Sequence, residues 1–236
     1  TDDKALFRPR RLLLLIMVGL TAFLGFTYLM IFGENLVSAG SDTFSHSAIG
    51  HKAFQESLQR LGFPVSISRF QSLEKAGAAT LLVLAEPDNL DHGTRPLDAL
   101  KGEEIVLVVL PKRQGRAGFS NPHWLRRAEL LELADVTGIL TRVVPGASLV
   151  RARTAAPYES GLGYAPTVDQ MQLMRSDALS PVVAYEQGML IGEIRIGRAK
   201  VWLLSDPDVI ANAGIGKGDN ASFAVAMIRA LLPAGG

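Results

Sequence analysis

The densest group of residues able to do chemistry is Ser205-Asp206-Pro207-Asp208, followed by Asn212, Gly214, Gly216, Gly218, Asp219 and Asn220. Carboxylates and carboxamides in a glycine-rich loop are the oxygen donors that hold a hard cation or orient a small polar ligand. The same side chains also accept hydrogen bonds from the backbone amides of tight turns and helix starts. Two readings therefore stand. In one, Asp206, Asp208, Asn212, Asp219 and Asn220 form a ligand or cation site. In the other, which is favoured, the loop is a strand-to-helix turn. Asp206 and Asn212 then hold amides of their own loop, and Asp219 or Asn220 caps the next helix. The spacing matches no EF-hand loop, dinucleotide fingerprint or P-loop.

Other chemistry is thinly represented. The histidines are His46, His51, His92 and His123, and none has metal-ligand spacing. His46 and His51 read as surface residues of one helix. There is no G-x-S-x-G elbow, and Ser120 lies in a loop, so a serine hydrolase triad is not favoured. The absence of cysteine removes disulfides, thiolate metal sites and any cysteine nucleophile. Lys112-Arg113, Arg116 and Arg126-Arg127 read as a solvated loop and helix face, with Glu129 and Glu132 at helical spacing. Neither a metal nor any other cofactor is expected.

The elements that must position these residues alternate. An amphipathic helix is predicted over residues 45–61, with Ala53, Phe54, Leu58 and Leu61 on one face and Ser45 or Ser47 as cap. Strands follow at 64–69, 80–85 and 104–110. The last two are continuous apolar runs suited to a sheet buried on both faces, usually a parallel one. Short helices are expected at 96–100 and 123–133, and a strand at 148–154. Residues 157–166 read as loop. Strands at 181–185, 189–196 and 200–205 are separated by Gln187-Gly188 and Gly197-Arg198, and a final helix runs over 220–232. Leu82, Val83, Val106, Val108 and Leu203 are the expected centre of the core. The order implies a three-layer α/β sandwich.

The run from Leu12 to Phe32 has no charge and no proline, enough for a helix of roughly 30 Å, the thickness of a bilayer core. Lys4, Arg8, Arg10 and Arg11 precede it, and no Lys or Arg follows until Lys52. The positive-inside rule then puts the N-terminus in the cytoplasm and the rest outside. The expected organisation is a cytoplasmic tail at 1–11, a single transmembrane helix at 12–32, a stalk at 33–44 and an extracytoplasmic domain at 45–232. With 48% hydrophobic residues the chain can build a core, and a net charge of +1 argues against nucleic acid as a partner.

One family shares this order of features. The matching residues are Ser47, Leu58-Gln59-Arg60-Leu61-Gly62, Glu86-Pro87, and the run Gly197-Arg198-Ala199-Lys200-Val201-Trp202-Leu203-Leu204-Ser205-Asp206-Pro207. Asn212, Gly214 and Asp219-Asn220-Ala221 complete the set. Over about residues 40–232 the chain resembles the bacterial domain-of-unknown-function family 4350. The resemblance implies a membrane-anchored, periplasmic domain with a flavodoxin- or amidotransferase-like, mostly parallel sheet. It also implies genes beside MoxR-type AAA+ ATPases and von Willebrand factor A-like proteins, hence protein partners in an envelope complex. Many members carry a second membrane helix after the domain. Class I amidotransferases need a cysteine nucleophile on a strand-to-helix elbow. Here Pro111-Lys112-Arg113-Gln114-Gly115 follows the strand ending at Leu110, so that reaction is excluded. The expectation is a non-catalytic domain of the bacterial inner membrane that binds a protein partner. The alternative is a small-ligand or cation-binding domain using the Asp206–Asn220 loop.

Overall fold

The computed structural model describes residues 9–32, 39–68, 80–87, 100, 102, 104–118, 125–153, 157 and 159–232. The chain divides into two units, Thr1–Val37 and Ser38–Gly236. The first contains helix α1, Pro9–Phe32, of 24 residues. Its side chains from Leu12 to Phe26 are exposed apolar groups, apart from Gly19, Gly25 and the small residues Thr21 and Ala22. The Thr21 hydroxyl donates to the Met17 carbonyl at 2.8 Å, so this polar group is satisfied within the helix. Among the described residues no helix is long and apolar enough to cross a membrane. The expected segment is thus helical, but the described part of it does not amount to a span.

The second unit is built on one mixed sheet. Its strands are β1 (Leu81–Ala85), β2 (Ile105–Val109), β5 (Ser148–Ala152), β6 (Glu159–Ser160), β7 (Met171–Arg175), β8 (Ser180–Tyr185), β9 (Gly188–Ile196) and β10 (Ala199–Leu204). The path is β1-β2-β10-β9-β7-β5, with β8 beside β9 and β6 beside β8. Parallel pairing is confined to β1 with β2 and β2 with β10. The remaining pairs are antiparallel. The parallel part is therefore smaller than the apolar runs suggested. The tight turns at Gly188 and Gly197, both at positive φ, make β8, β9 and β10 a meander, and adjacent strands joined by short turns must run antiparallel.

Side chains alternate across β2 and β10. Leu107, Val109, Trp202 and Leu204 face one apolar cluster, with Phe54 and Leu58 of α2 (Lys52–Arg60) and Phe223, Met227 and Leu231 of α4 (Asn220–Leu231). Val106, Val108, Val201 and Leu203 face the other, with Val136 and Leu140 of α3 (Leu133–Val143). Among the described residues, two helices on one face and one on the other give the three layers that the element order implied. Val106, Val108 and Leu203 are fully buried and Leu82 nearly so, but Val83 is only half-buried because β1 is an edge strand.

Several expected elements differ. The first helix begins at Lys52, not near Ser45. Residues 39–50 are turns, and Ser45 and Ser47 are buried with a 2.9 Å hydrogen bond between their hydroxyls. Of the strand expected at 64–69, the described residues 64–68 form none. Phe63 and Val65 pack onto the apolar cluster instead. The helix expected at 123–133 is replaced in its described part by strand β4 (Leu125–Leu130), antiparallel to β3 (Arg113–Ala117). The leucines that suggested helical spacing are divided between two elements, since Leu131 and Leu133 pack at the start of α3. Strand β7 was not foreseen, because Gln172 interrupts its apolar run. The short helix expected at 96–100 lies outside the described residues except for Leu100, which is not helical, and Ser120, His92 and His123 also lie outside them.

Candidate functional site

Strands β1, β2 and β10 run parallel, so their carboxyl ends leave the sheet at one edge, where open α/β sheets usually hold ligands. The three chain exits carry Glu86, Lys112 and Asp206. The Lys112 side chain is fully buried. Its Nζ donates to Asp206 Oδ2 at 2.7 Å, to Asp208 Oδ2 at 2.7 Å and to the Gln170 carbonyl at 2.6 Å. An ammonium has three N–H groups, and all three are used here. Arg113 Nη2 donates to Asp208 Oδ2 at 3.1 Å and its Nε to Oδ1 at 3.1 Å, so Asp208 faces two cations.

Asp206 closes the other side. It is fully buried, and besides Lys112 it accepts from the Gln172 amide at 2.7 Å and from the Asp208 amide at 2.9 Å. The second bond caps a 3-10 turn at Pro207–Val209. The Gln172 carboxamide donates to the Pro111 and Ser205 carbonyls at 3.1 and 2.8 Å. Its Oε1 accepts from Arg151 Nε and Nη2 at 3.1 and 2.9 Å. The cluster thus ties the exits of β2 and β10 to β7 and β5.

The two carboxylates titrate in opposite directions. Burial pushes the Asp206 carboxyl up, and the charge of Lys112 only partly opposes this. Burial also acts to raise Asp208, but the hydrogen bonds from Arg113 and the charge of Lys112 outweigh it and hold that carboxyl below its ordinary value. A depressed folded value means stability that is present above the unfolded value of about 3.9 and is lost as pH falls through the folded one. Asp206, shifted upward, contributes with the opposite sign. Between pH 5 and 3 the parent should therefore lose more stability than an Asp208→Asn variant, as read by urea unfolding at each pH.

A second buried pair lies beside the first. His51 Nε2 is 2.7 Å from Glu86 Oε1, with both side chains almost fully buried. Burial pushes the Glu86 carboxyl up, against the hydrogen bond and charge of His51. Glu86 has φ +43, a left-handed backbone that a non-glycine residue adopts at a cost of about 1–3 kcal/mol. Among the described residues His51 Nδ1 has no hydrogen-bond partner, although it is buried. Tyr185 Oη is likewise unpartnered, and burial followed by the charge of Asp206 pushes its pKa up to about 12.

Of the five residues expected to form a site, the fold brings two together. Asp206 and Asp208 meet at Lys112. Asn212 works on a distant segment. Its Oδ1 accepts from the Ala53 amide at 2.8 Å, and its Nδ2 donates to the Ser45 and Ser47 carbonyls at 2.8 and 2.7 Å. It thereby caps the start of α2 from across the fold, in place of the local serines. Asn212→Ala should lower stability by about 1–3 kcal/mol, the cost of leaving buried carbonyls and an amide unpaired, measured by chemical denaturation.

Asn220 also acts at a distance. It accepts from the Thr167 amide at 2.6 Å and donates to the Thr167 and Gly214 carbonyls at 3.0 and 2.8 Å. Asp219 occupies the cap position of α4 but makes no capping bond and is exposed. The expected side-chain cap of α4 is therefore absent at Asp219. At Gly214 a Cβ would collide with the Asp208 carbonyl oxygen, which explains one glycine of the loop by close backbone approach.

The sequence reading missed Lys112, Arg113, Gln172, His51 and Glu86. Lys112 is not a solvated loop residue and His51 is not a surface residue, because each finds a carboxylate on another element. The signal for Lys112 was its position directly after the most apolar strand, where a charge needs a partner.

The model of one family, described as a domain of unknown function (DUF4350), matches residues 43–228. The chain belongs to this family. No curated protein matches the sequence.

Proposed function

We propose that the protein is a non-catalytic extracytoplasmic domain, anchored in the bacterial inner membrane by its N-terminal helix, that binds a protein partner in a cell-envelope complex. The observation that carries this reading is the closure of the Lys112 cluster. At the sheet edge where related folds place their chemistry, the ammonium is fully buried and all its donors are taken. Such an arrangement makes a rigid platform and leaves Lys112 no lone pair and Asp206 little freedom to act as base or nucleophile. The exposed apolar side chains of α1 and the basic residues Lys4, Arg8, Arg10 and Arg11 on its N-terminal side support the anchor and its orientation. By the same reading the main domain is periplasmic, and proteins associated with MoxR-type ATPases are the partners to test first.

Two measurements test it. A reporter active only outside the cytoplasm, fused after Gly236, should be active. A purely cytoplasmic signal would overturn the topology. The full chain, purified from its own membranes in mild detergent, should retain a protein partner in fixed stoichiometry. Recovery of the chain alone at physiological expression would overturn the binding role.

A further inference from the structure

Among the described residues outside α1, the large apolar side chains that stand exposed are Leu61, Ile67, Leu130 and Tyr164. Two of them, Leu61 (55% exposed) and Tyr164 (42%), line the same open groove. It lies between α2 and α4 and has a volume of ≈ 740 Å³. Its α4 wall is small, with Ala221, Ala224 and Ala230, so another main chain can come close. Among the described residues no Asp or Glu lines the groove, while Arg60 and Arg229 do. Arg60 is held, among the described residues, by an exposed pair with Glu56 at 3.2 Å, which is worth little in water and is readily exchanged.

We infer that this groove receives an acidic amphipathic helix from the partner protein. The inference rests on the partner-binding reading above and deepens it. The walls decide the conformation of the occupant. They come from two helices, the 161–164 turn and Ile215, and offer no strand edge. An extended peptide would bury backbone amides and carbonyls with nothing to pair them, whereas a helix satisfies its own. Its apolar stripe lies over the alanine wall and against Leu61 and Tyr164, by the groove mode of helix recognition. α4 is 12 residues long, about 18 Å, so the contact accommodates about three turns of helix. Arg60 and Arg229 select carboxylates on the flanks of that stripe. A second copy of this chain fits poorly, since a two-fold pairing of the same face brings like charges together.

The test places the photo-crosslinking residue p-benzoylphenylalanine at Leu61 in the full chain, in its own membranes, and maps the crosslinked peptide by mass spectrometry. The expected peptide has apolar residues at helical spacing with Asp or Glu beside them. Arg60→Gln with Arg229→Gln should weaken the crosslink and Arg60→Glu with Arg229→Glu should cut it at least tenfold, with the fold retained and melting lowered only slightly by the loss of two last-turn cations. A crosslink to another copy of this chain, to lipid, or to a segment without that pattern overturns the inference, as does a crosslink insensitive to charge reversal. If the partner still co-purifies with the charge-reversed variant, the groove assignment fails and the partner-binding role stands. If no partner co-purifies with the unmodified chain, the role itself fails.

Discussion

Replacing Lys112 by methionine is expected to cost about 3–5 kcal/mol, the usual penalty for removing one partner of a buried ion pair. Methionine fills most of the same volume, so the loss is electrostatic. Asp206 remains fully buried beside Asp208, with Arg113 the nearest remaining cation on the carboxylate pair. The deficit should also depend on pH in a defined direction. Without the ammonium, burial pushes the Asp206 carboxyl up further. A group whose folded pKa is raised contributes stability that is present below its unfolded value and lost as pH rises through the folded one. Urea unfolding of Lys112→Met should therefore show a deficit that shrinks as pH is lowered from neutral towards 5. A variant as stable as the parent at neutral pH would mean that Lys112 is not the charge balancing this edge.

Asp206→Ala should be similarly costly, about 3–5 kcal/mol. The carboxylate accepts from Lys112 Nζ, from the Gln172 amide and from the Asp208 amide, and all three donors lose a partner. The loss exceeds that of a simple turn cap, because the carboxylate joins three chain segments and opposes a buried cation. Thermal melts of parent and variant, with and without millimolar calcium, separate this from the cation-binding alternative. The expected result is a destabilised variant and a parent whose melting does not respond to calcium. A fully stable variant that has lost a clear calcium-dependent shift of the parent would make the loop a binding site.

Apolar runs at 80–85, 104–110 and 200–205 announced the three parallel strands β1, β2 and β10, because a strand covered on both faces must be apolar throughout. Gly188 and Gly197 marked the turns of the meander for an equally local reason. The last helix was visible in Phe223, Met227 and Leu231, whose spacing keeps them on one face. Where a local pattern was shared between elements, it misled. The leucines from Leu125 to Leu133 belong half to a strand and half to a helix. Gln172 hid β7, because a polar residue in a strand is legible only once its partners Pro111, Ser205 and Arg151 are known.

By itself, then, the sequence determined the layers, the central strands, the turns and the family, all of which rest on periodicity or on contiguous residues. It also singled out Asp206, Asp208, Asn212, Asp219 and Asn220 as special, since short polar side chains in a glycine-rich loop have few other uses, although Asp219 makes no capping bond. What those side chains hold was decided only by the tertiary structure. Asn212 caps a helix that begins 160 residues earlier. Lys112 meets Asp206 across a separation of 94 residues, and His51 meets Glu86 across 35. A buried charge requires a partner, but no local pattern names it. The partner is whichever residue the parallel register of β1, β2 and β10 delivers to the same edge.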